Sequence, residues 1–181
     1  SITTKRGDGG MTDMLFGKRV PKNDARMDAI GAVDELNALM GVVRVLSNRS
    51  RLDEWTNDFQ ERLTGLMGEL AVMPEDVLKY VEQGFSMITE EDVTALEEKI
   101  KQLESEVPPP KDWVRPGAAG HQTAAYLDLA RTVCRRAERR ILDLGDGVPN
   151  QQVRLFMNRS SDLLWLLARE LELGVGYFGG N

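Results

Sequence analysis

Two segments carry residue types suited to holding a polyanion. In the first, from Lys5 to Lys22, the cations Lys5, Arg6, Lys18, Arg19 and Lys22 surround Gly7, Gly9 and Gly10. Glycines there permit backbone conformations in which consecutive N–H groups converge on a phosphate, and the cations neutralise it. No Gly-Lys-Ser/Thr follows and no apolar strand precedes, so the loop is not of the Walker A type. A terminal tail whose glycines serve no ligand is the other reading, and composition leaves both open. In the second segment, Arg131, Arg135, Arg136, Arg139 and Arg140 occur without a single lysine. Helical geometry puts Arg131, Arg135, Glu138 and Arg139 in a sector of roughly 100° beside an apolar stripe. A solvated face with local pairs such as Arg135–Glu138 is the plain alternative. The exclusive use of arginine favours bidentate phosphate contact.

Other residues have narrower roles. Asn158, Asp162, Trp165 and Arg169 fall along one line of an otherwise apolar helix, and Asn158 either cross-links helices or turns its amide to a ligand. Gly31, Asp34, Ala38 and Gly41 form a stripe of small residues within about 80°, which lets another helix approach closely. Asp34 then needs a cation, such as an arginine of the helix around Arg131, in this chain or a neighbouring one. His121 is the only histidine, which argues against a protein-bound zinc site, and Cys134 lies on an apolar face as a core thiol.

The elements that must position these groups read as helices. Apolar residues recur at helical spacing over Asp24–Leu46, Arg51–Met73, Thr89–Val107, Ala118–Leu144 and Gln151–Leu173. Thr89 and Asp92 form a cap signature, Pro74 and the triple proline Pro108–Pro110 end two of the helices, and glycines end two more. No stretch alternates with period two, so no sheet is expected, and the chain predicts an all-α fold, an antiparallel up-and-down bundle. The connections Pro74–Ile88 and Pro108–Gly117 are long enough to carry function or a short extra turn.

With 181 residues, one domain suffices. The excess of 29 acidic over 23 basic residues, net charge −6, makes the surface as a whole repel nucleic acid and anionic lipid. Any anion site is therefore local. The single cysteine excludes an intrachain disulfide, the opening residues are polar and glycine-rich, and no apolar run approaches the roughly 18 residues of a membrane span. A soluble cytoplasmic protein is expected, without nucleic-acid or membrane partners.

Six motifs in order, TKRGDGGMT (4–12), LFGKRVPK (15–22), AIGAVDELNALMG (29–41), WVRPG (113–117), ARTVCRRAERR (130–140) and MNRSSDLLWLLAR (157–169), resemble those of ATP:cob(I)alamin (corrinoid) adenosyltransferases of the propanediol-utilisation type. The resemblance spans nearly the whole chain. It implies a five-helix, ferritin-like bundle forming a homotrimer with ATP between subunits. Residues 1–23 would be the ATP-binding loop, 24–173 the bundle and 174–181 a tail, in one domain over 1–181. It implies that Thr4, Lys5, Arg6, Gly7, Thr12, Lys22, Arg135, Arg136, Glu138, Arg139 and Asn158 bind ATP. Lys22, Arg135 and Arg139 would act in catalysis with Mg²⁺ carried on the phosphates, so that the protein alone holds no metal. Asp34 and Arg131 would pair across the subunit interface, and Trp113 would face the corrinoid. The implied reaction moves the 5′-deoxyadenosyl group of ATP to cob(I)alamin. A cob(II)alamin reductase and an adenosylcobalamin-dependent acceptor enzyme are the implied partners. Arg6, Trp113, Arg115 and Ala118 depart from the usual pattern. The competing reading is a non-catalytic carrier or sensor that binds ATP and corrinoid; an inert structural bundle is a third.

Overall fold

Long helices begin where a side chain can accept one of the first free backbone N–H groups. In the computed structural model, which describes residues 1–177 and 179, the Asp24 carboxylate accepts from the Arg26 N–H at 2.8 Å and opens α1, Ala25–Leu46. Thr89 and Asp92 form a reciprocal capping box at the start of α4, Glu90–Glu106. His121 Nδ1 accepts from the Ala124 N–H at 3.3 Å and opens α5, Gln122–Leu142. Asn150 does the same for α6, Gln151–Leu173. The other helices are α2, Ser50–Leu70, and the short α3, Val77–Glu82, which fills the connection expected to hold an extra turn.

Three boundaries differ from the pattern. α2 stops at Leu70 rather than Met73, because Val72 and Met73 lead into Pro74 and Met73 is extended. α5 starts at Gln122 rather than Ala118, because Gly117 and Gly120 take φ values of +80° and +67°. It ends at Leu142, short of Leu144. A further correction concerns strands: β1, Met11–Asp13, pairs antiparallel with β2, Arg19–Pro21. Three-residue strands are too short to show an alternation, so the hairpin leaves no periodic trace in the sequence.

α1 packs on α2 and α5, and α6 on α5 and α4. Leu36, Met40, Leu63, Leu66, Leu127, Ile141, Phe156, Met157 and Leu164 fill the space between them, all buried. α6 is apolar around most of its circumference because it is covered on several sides. Cys134 is a core thiol, its Sγ 3.5 Å from the Met157 carbonyl, and burial pushes its ionisation far above the usual range. Among the described residues no helix is long and apolar enough to cross a membrane. Of the tail, Phe178, Gly180 and Asn181 lie outside the described residues.

Candidate functional site

The hairpin folds the glycine-rich segment back on itself. Gly10, at φ +79°, accepts from the Lys22 N–H at 2.8 Å, and its own N–H donates to the Gly7 carbonyl at 3.1 Å. Lys5 holds a left-handed conformation at φ +59°. A Cβ added at Gly7 would stand 2.8 Å from Lys22 Nζ, so the absence of a side chain is what lets the ammonium lie against this backbone. Arg19 donates to the Arg6 carbonyl at 2.9 Å, and Arg6 pairs with Asp13 at 3.1 Å. Thr12 sits mid-strand and half-buried, while Thr4 is exposed. The side chains of Lys5 and Lys22 take part in no hydrogen bond or ion pair among the described residues.

This loop stands on a ledge formed after α2. The Leu15 N–H donates to the Ala71 carbonyl at 3.2 Å, and Lys18 pairs with Glu75 at 3.2 Å. Arg26, buried, holds the ledge: its guanidinium donates to the Leu70, Val72 and Gly147 carbonyls at 2.9, 3.1 and 2.6 Å. These are carbonyls that the end of α2 and the turn after α5 would otherwise leave open.

On α5 the arginines divide into two sets. Arg136 pairs with Glu35 and Arg140 with Asp28, tying α5 to α1. Arg135 and Arg139 are exposed and have no partner among the described residues. The local pair Arg135–Glu138 does not form. Glu138 instead accepts from Asn158 Nδ2 at 3.3 Å, and Arg159 donates to Asn158 Oδ1 at 3.2 Å. Asn158 and Asp162 are exposed, so of the polar line on α6 only Arg169 is fully buried and Trp165 half-buried. Asp34 is exposed, its side chain without a hydrogen bond or ion pair among the described residues, and Arg131 Nε lies 3.7 Å from Asp128. Gly7 and Lys22 thus come together, as do Glu138 and Asn158. No hydrogen bond or ion pair among the described residues joins the glycine-rich loop to the α5 arginines.

Trp113 is 89% exposed on the rim of a cavity of about 210 Å³ whose walls include Val114, Pro116, Arg131, Trp165 and Arg169. Beneath it lies a buried charge group. Arg169 pairs with Asp128 at 2.6 Å and with Glu172 at 2.7 Å, and burial pushes the Glu172 carboxyl above its usual range, opposed by Arg169. Sequence reasoning missed Arg26, Asp128 and Glu172. Asp128 adjoins the buried Leu127 and Glu172 follows Arg169 by three residues, a spacing that signals a pair. The described residues contain no group of three or more His, Cys, Asp or Glu side chains able to hold a metal ion.

The family model described as cobalamin adenosyltransferase matches residues 2–171. A corrinoid adenosyltransferase PduO from Citrobacter freundii is 34% identical over 170 residues, covering 93% of this chain but 49% of the relative, so the chain spans about half that protein's length. A cobalamin adenosyltransferase from Cupriavidus metallidurans is 35% identical over 180 residues, covering 97% of this chain and 90% of its own. Among solved structures, a variant PduO-type ATP:corrinoid adenosyltransferase from Lactobacillus reuteri, complexed with cobalamin and ATP, superposes with a TM-score of 0.85 at 35% identity, covering 96% of this chain and 94% of that one. A different variant of the same kind, complexed with ATP, gives a TM-score of 0.84.

Proposed function

The chain belongs to the cobalamin adenosyltransferase family, and from that membership we propose that it transfers the 5′-deoxyadenosyl group of ATP to cob(I)alamin or a related corrinoid. Cobalt(I) attacks the 5′-carbon, a cobalt–carbon bond forms as the carbon–oxygen bond breaks, and the electron pair of that bond leaves with the triphosphate. Such a displacement needs no protein nucleophile or general base; it needs alignment and neutralisation of the leaving charge. The observation that carries the reading is that, among the described residues, the side chains of Arg135 and Arg139 make no hydrogen bond or ion pair while Arg136 and Arg140 beside them bind α1. Two guanidiniums held free on a rigid helix suit an oligophosphate. Lys22, set against Gly7, supplies a further cation to the phosphates, with Lys5, Arg6, Thr4 and Thr12 around it. Mg²⁺ enters with the triphosphate, whose oxygens supply ligands for it.

The five long helices act as an antiparallel bundle that assembles into a homotrimer. Two features support an ATP site between subunits: among the described residues no hydrogen bond or ion pair joins the loop to the arginine face, and none engages the Asp34 side chain. In this assembly Asp34 pairs with Arg131 of a neighbour, and Arg136, Glu138 and Asn158 frame the nucleotide. Trp113 covers the lower face of the corrinoid and excludes an axial ligand, which eases reduction from cobalt(II). Residues 1–181 work as one domain, in the cytoplasm, beside a cob(II)alamin reductase and an acceptor of adenosylcobalamin.

An anaerobic spectrophotometric assay with reduced cobalamin, ATP and Mg²⁺ tests the proposal. Adenosylcobalamin with stoichiometric triphosphate is the expected result. Binding of both ligands without turnover would assign the chain to a carrier or sensor instead.

A further inference from the structure

Beside the cavity at Trp113 lies a second one of about 340 Å³, inside the range of roughly 300–1,000 Å³ that small-molecule sites occupy. Pro110, Val114 and Arg169 line both, so the two adjoin along the segment that carries Trp113. The larger cavity is walled by the run Val107–Pro110, whose prolines fix the backbone, and by Leu173 and Tyr177 beyond the buried part of α6. Gly179 closes the tail on this wall: a Cβ there would stand 3.1 Å from Pro110 Cβ and 3.6 Å from Val114 Cγ2. Arg169 and Glu172 also line it, but both are buried and answer each other at 2.7 Å, and Arg169 holds Asp128 at 2.6 Å. They ask nothing of a ligand. The lining cation outside this group is Lys111, exposed and with no hydrogen bond or ion pair among the described residues.

A wall of aliphatic and proline surface with one ammonium at its mouth suits a flat apolar group tethered to a single negative charge. It does not suit ATP, because a purine edge carries donors and acceptors that this wall would leave unpaired, and one lysine does not balance a triphosphate. It matches the part of cobalamin that Trp113 shuts out. The lower axial ligand is a dimethylbenzimidazole joined to the corrin edge through a ribose and a phosphodiester. Once off the cobalt, that base either stays in water or finds apolar surface nearby. We infer that the cavity bounded by Val107–Pro110, Leu173 and Tyr177 receives the detached lower base of cobalamin, with the Lys111 ammonium facing its phosphodiester. This rests on the corrinoid reading above. The cavity makes and breaks no bond; it holds the base away from the metal and selects corrinoids that carry one. The shared wall of Pro110, Val114 and Arg169 gives the tether a short path from the ring at Trp113.

The test compares cobalamin with cobinamide, the same corrin lacking phosphate, ribose and base. Both are reduced to cobalt(I) beforehand, a state in which the metal holds no lower ligand, so that only the presence of the base and its tether distinguishes them. With the wild-type chain, the KM for cobinamide should lie at least roughly tenfold above that for cobalamin, the scale of burying one aromatic group. The kcat values should be alike, because the base is remote from the reacting carbon. Leu173→Trp fills the cavity and should bring the two KM values to within about threefold of each other by raising that of cobalamin. Lys111→Gln, at an exposed position, should raise the cobalamin KM about threefold and so narrow the gap in part. Equal KM values with the wild-type chain, or a gap that neither variant narrows, would overturn the assignment. Should Leu173→Trp fail to fold, Lys111→Gln decides alone, and an unchanged cobalamin KM would refute the proposal. Conversion of neither corrinoid by the wild-type chain would refute the transferase reading instead, so the two failures are separable.

Discussion

Arg26→Met tests how the glycine-rich loop is held in place. The substitution keeps most of the apolar stem and removes three hydrogen bonds, to the carbonyls of Leu70, Val72 and Gly147. Two of these bonds are buried, and each carbonyl left without a partner costs about 1–3 kcal/mol; the third, partly exposed, can turn to water. Part of that loss is offset. Burial pulls the Arg26 ionisation below its usual range, the mark of a guanidinium that is costly to desolvate, and methionine carries no such cost. A net loss of about 3 kcal/mol follows, which for a chain of this size lowers Tm by roughly 6–12 °C. The functional effect should be one-sided. The carbonyls that Arg26 holds flank Ala71, whose own carbonyl takes the Leu15 N–H, and the ledge runs on to Glu75, which takes Lys18. The KM for ATP should therefore rise while the corrinoid KM stays put. Calorimetry and steady-state kinetics on the purified variant read both effects. A Tm drop under about 3 °C would remove the stabilising role; equal rises in both KM values would remove the link to the loop.

Three further outcomes are expected. Arg135→Ala should cost at least ~2 kcal/mol of transition-state stabilisation in kcat/KM, the scale for one preorganised electrostatic donor, and a rate near wild type would exclude Arg135 from the site. Trp113→Ala should impair reaction from cobalt(II) far more than from pre-reduced cobalt(I), measured by parallel assays with and without a reductase; equal losses would refute its place on the corrinoid. Glu69 is buried, which raises its carboxyl above the ordinary 4.5 despite bonds from the Ile88 N–H and Asn150. Its contribution to stability is therefore full below pH 4.5 and lost as pH climbs through the raised value, so the advantage of the wild type over Glu69→Gln in urea midpoints should shrink across that window. An advantage that grows with pH would contradict the burial argument.

Much of the helical frame could be read from single residues. α6 runs between the limits its pattern gives because Asn150 caps it and Gly174 follows it, and the Thr89–Asp92 box opens α4 as its sequence announces. Where local and tertiary signals compete, the pattern misleads. Ala118 and Ala119 read as helix, yet Gly117 and Gly120 turn the chain at positive φ. The hairpin is held by its docking on Ala71 and Glu75, contacts distant in sequence. Helical spacing put Arg131, Arg135 and Arg139 on one face. It could not say that Glu35 and Asp28 of α1 would take Arg136 and Arg140, that Asp128 would lie beside Arg131, and that Arg135 and Arg139 would have no hydrogen bond or ion pair among the described residues. Glu172 was hidden for the opposite reason, since a glutamate in the last turn of a helix reads as solvated and here is buried against Arg169.

The attachment of α4 has a consequence for turnover. It buries only Val93, Leu96 and Leu103, packs chiefly on α6, and meets α2 across the pairs Lys99–Asp58, Arg62–Asp92 and Arg51–Glu106, with a cleft of about 180 Å³ beside the first two. Of the long helices, one held by three buried apolar residues and by ion pairs near the surface opens at lower cost than α1, α5 and α6. Its C-terminal end runs into the prolines and the Trp113 segment. Brief undocking of α4 would therefore swing that lip aside while the hairpin ledge and the arginine face stay folded, giving a bulky product an exit that leaves those two elements undisturbed. Amides of α4 should accordingly exchange with deuterium ahead of those of α1, α5 and α6, and product release should track the rate of that local opening rather than global unfolding.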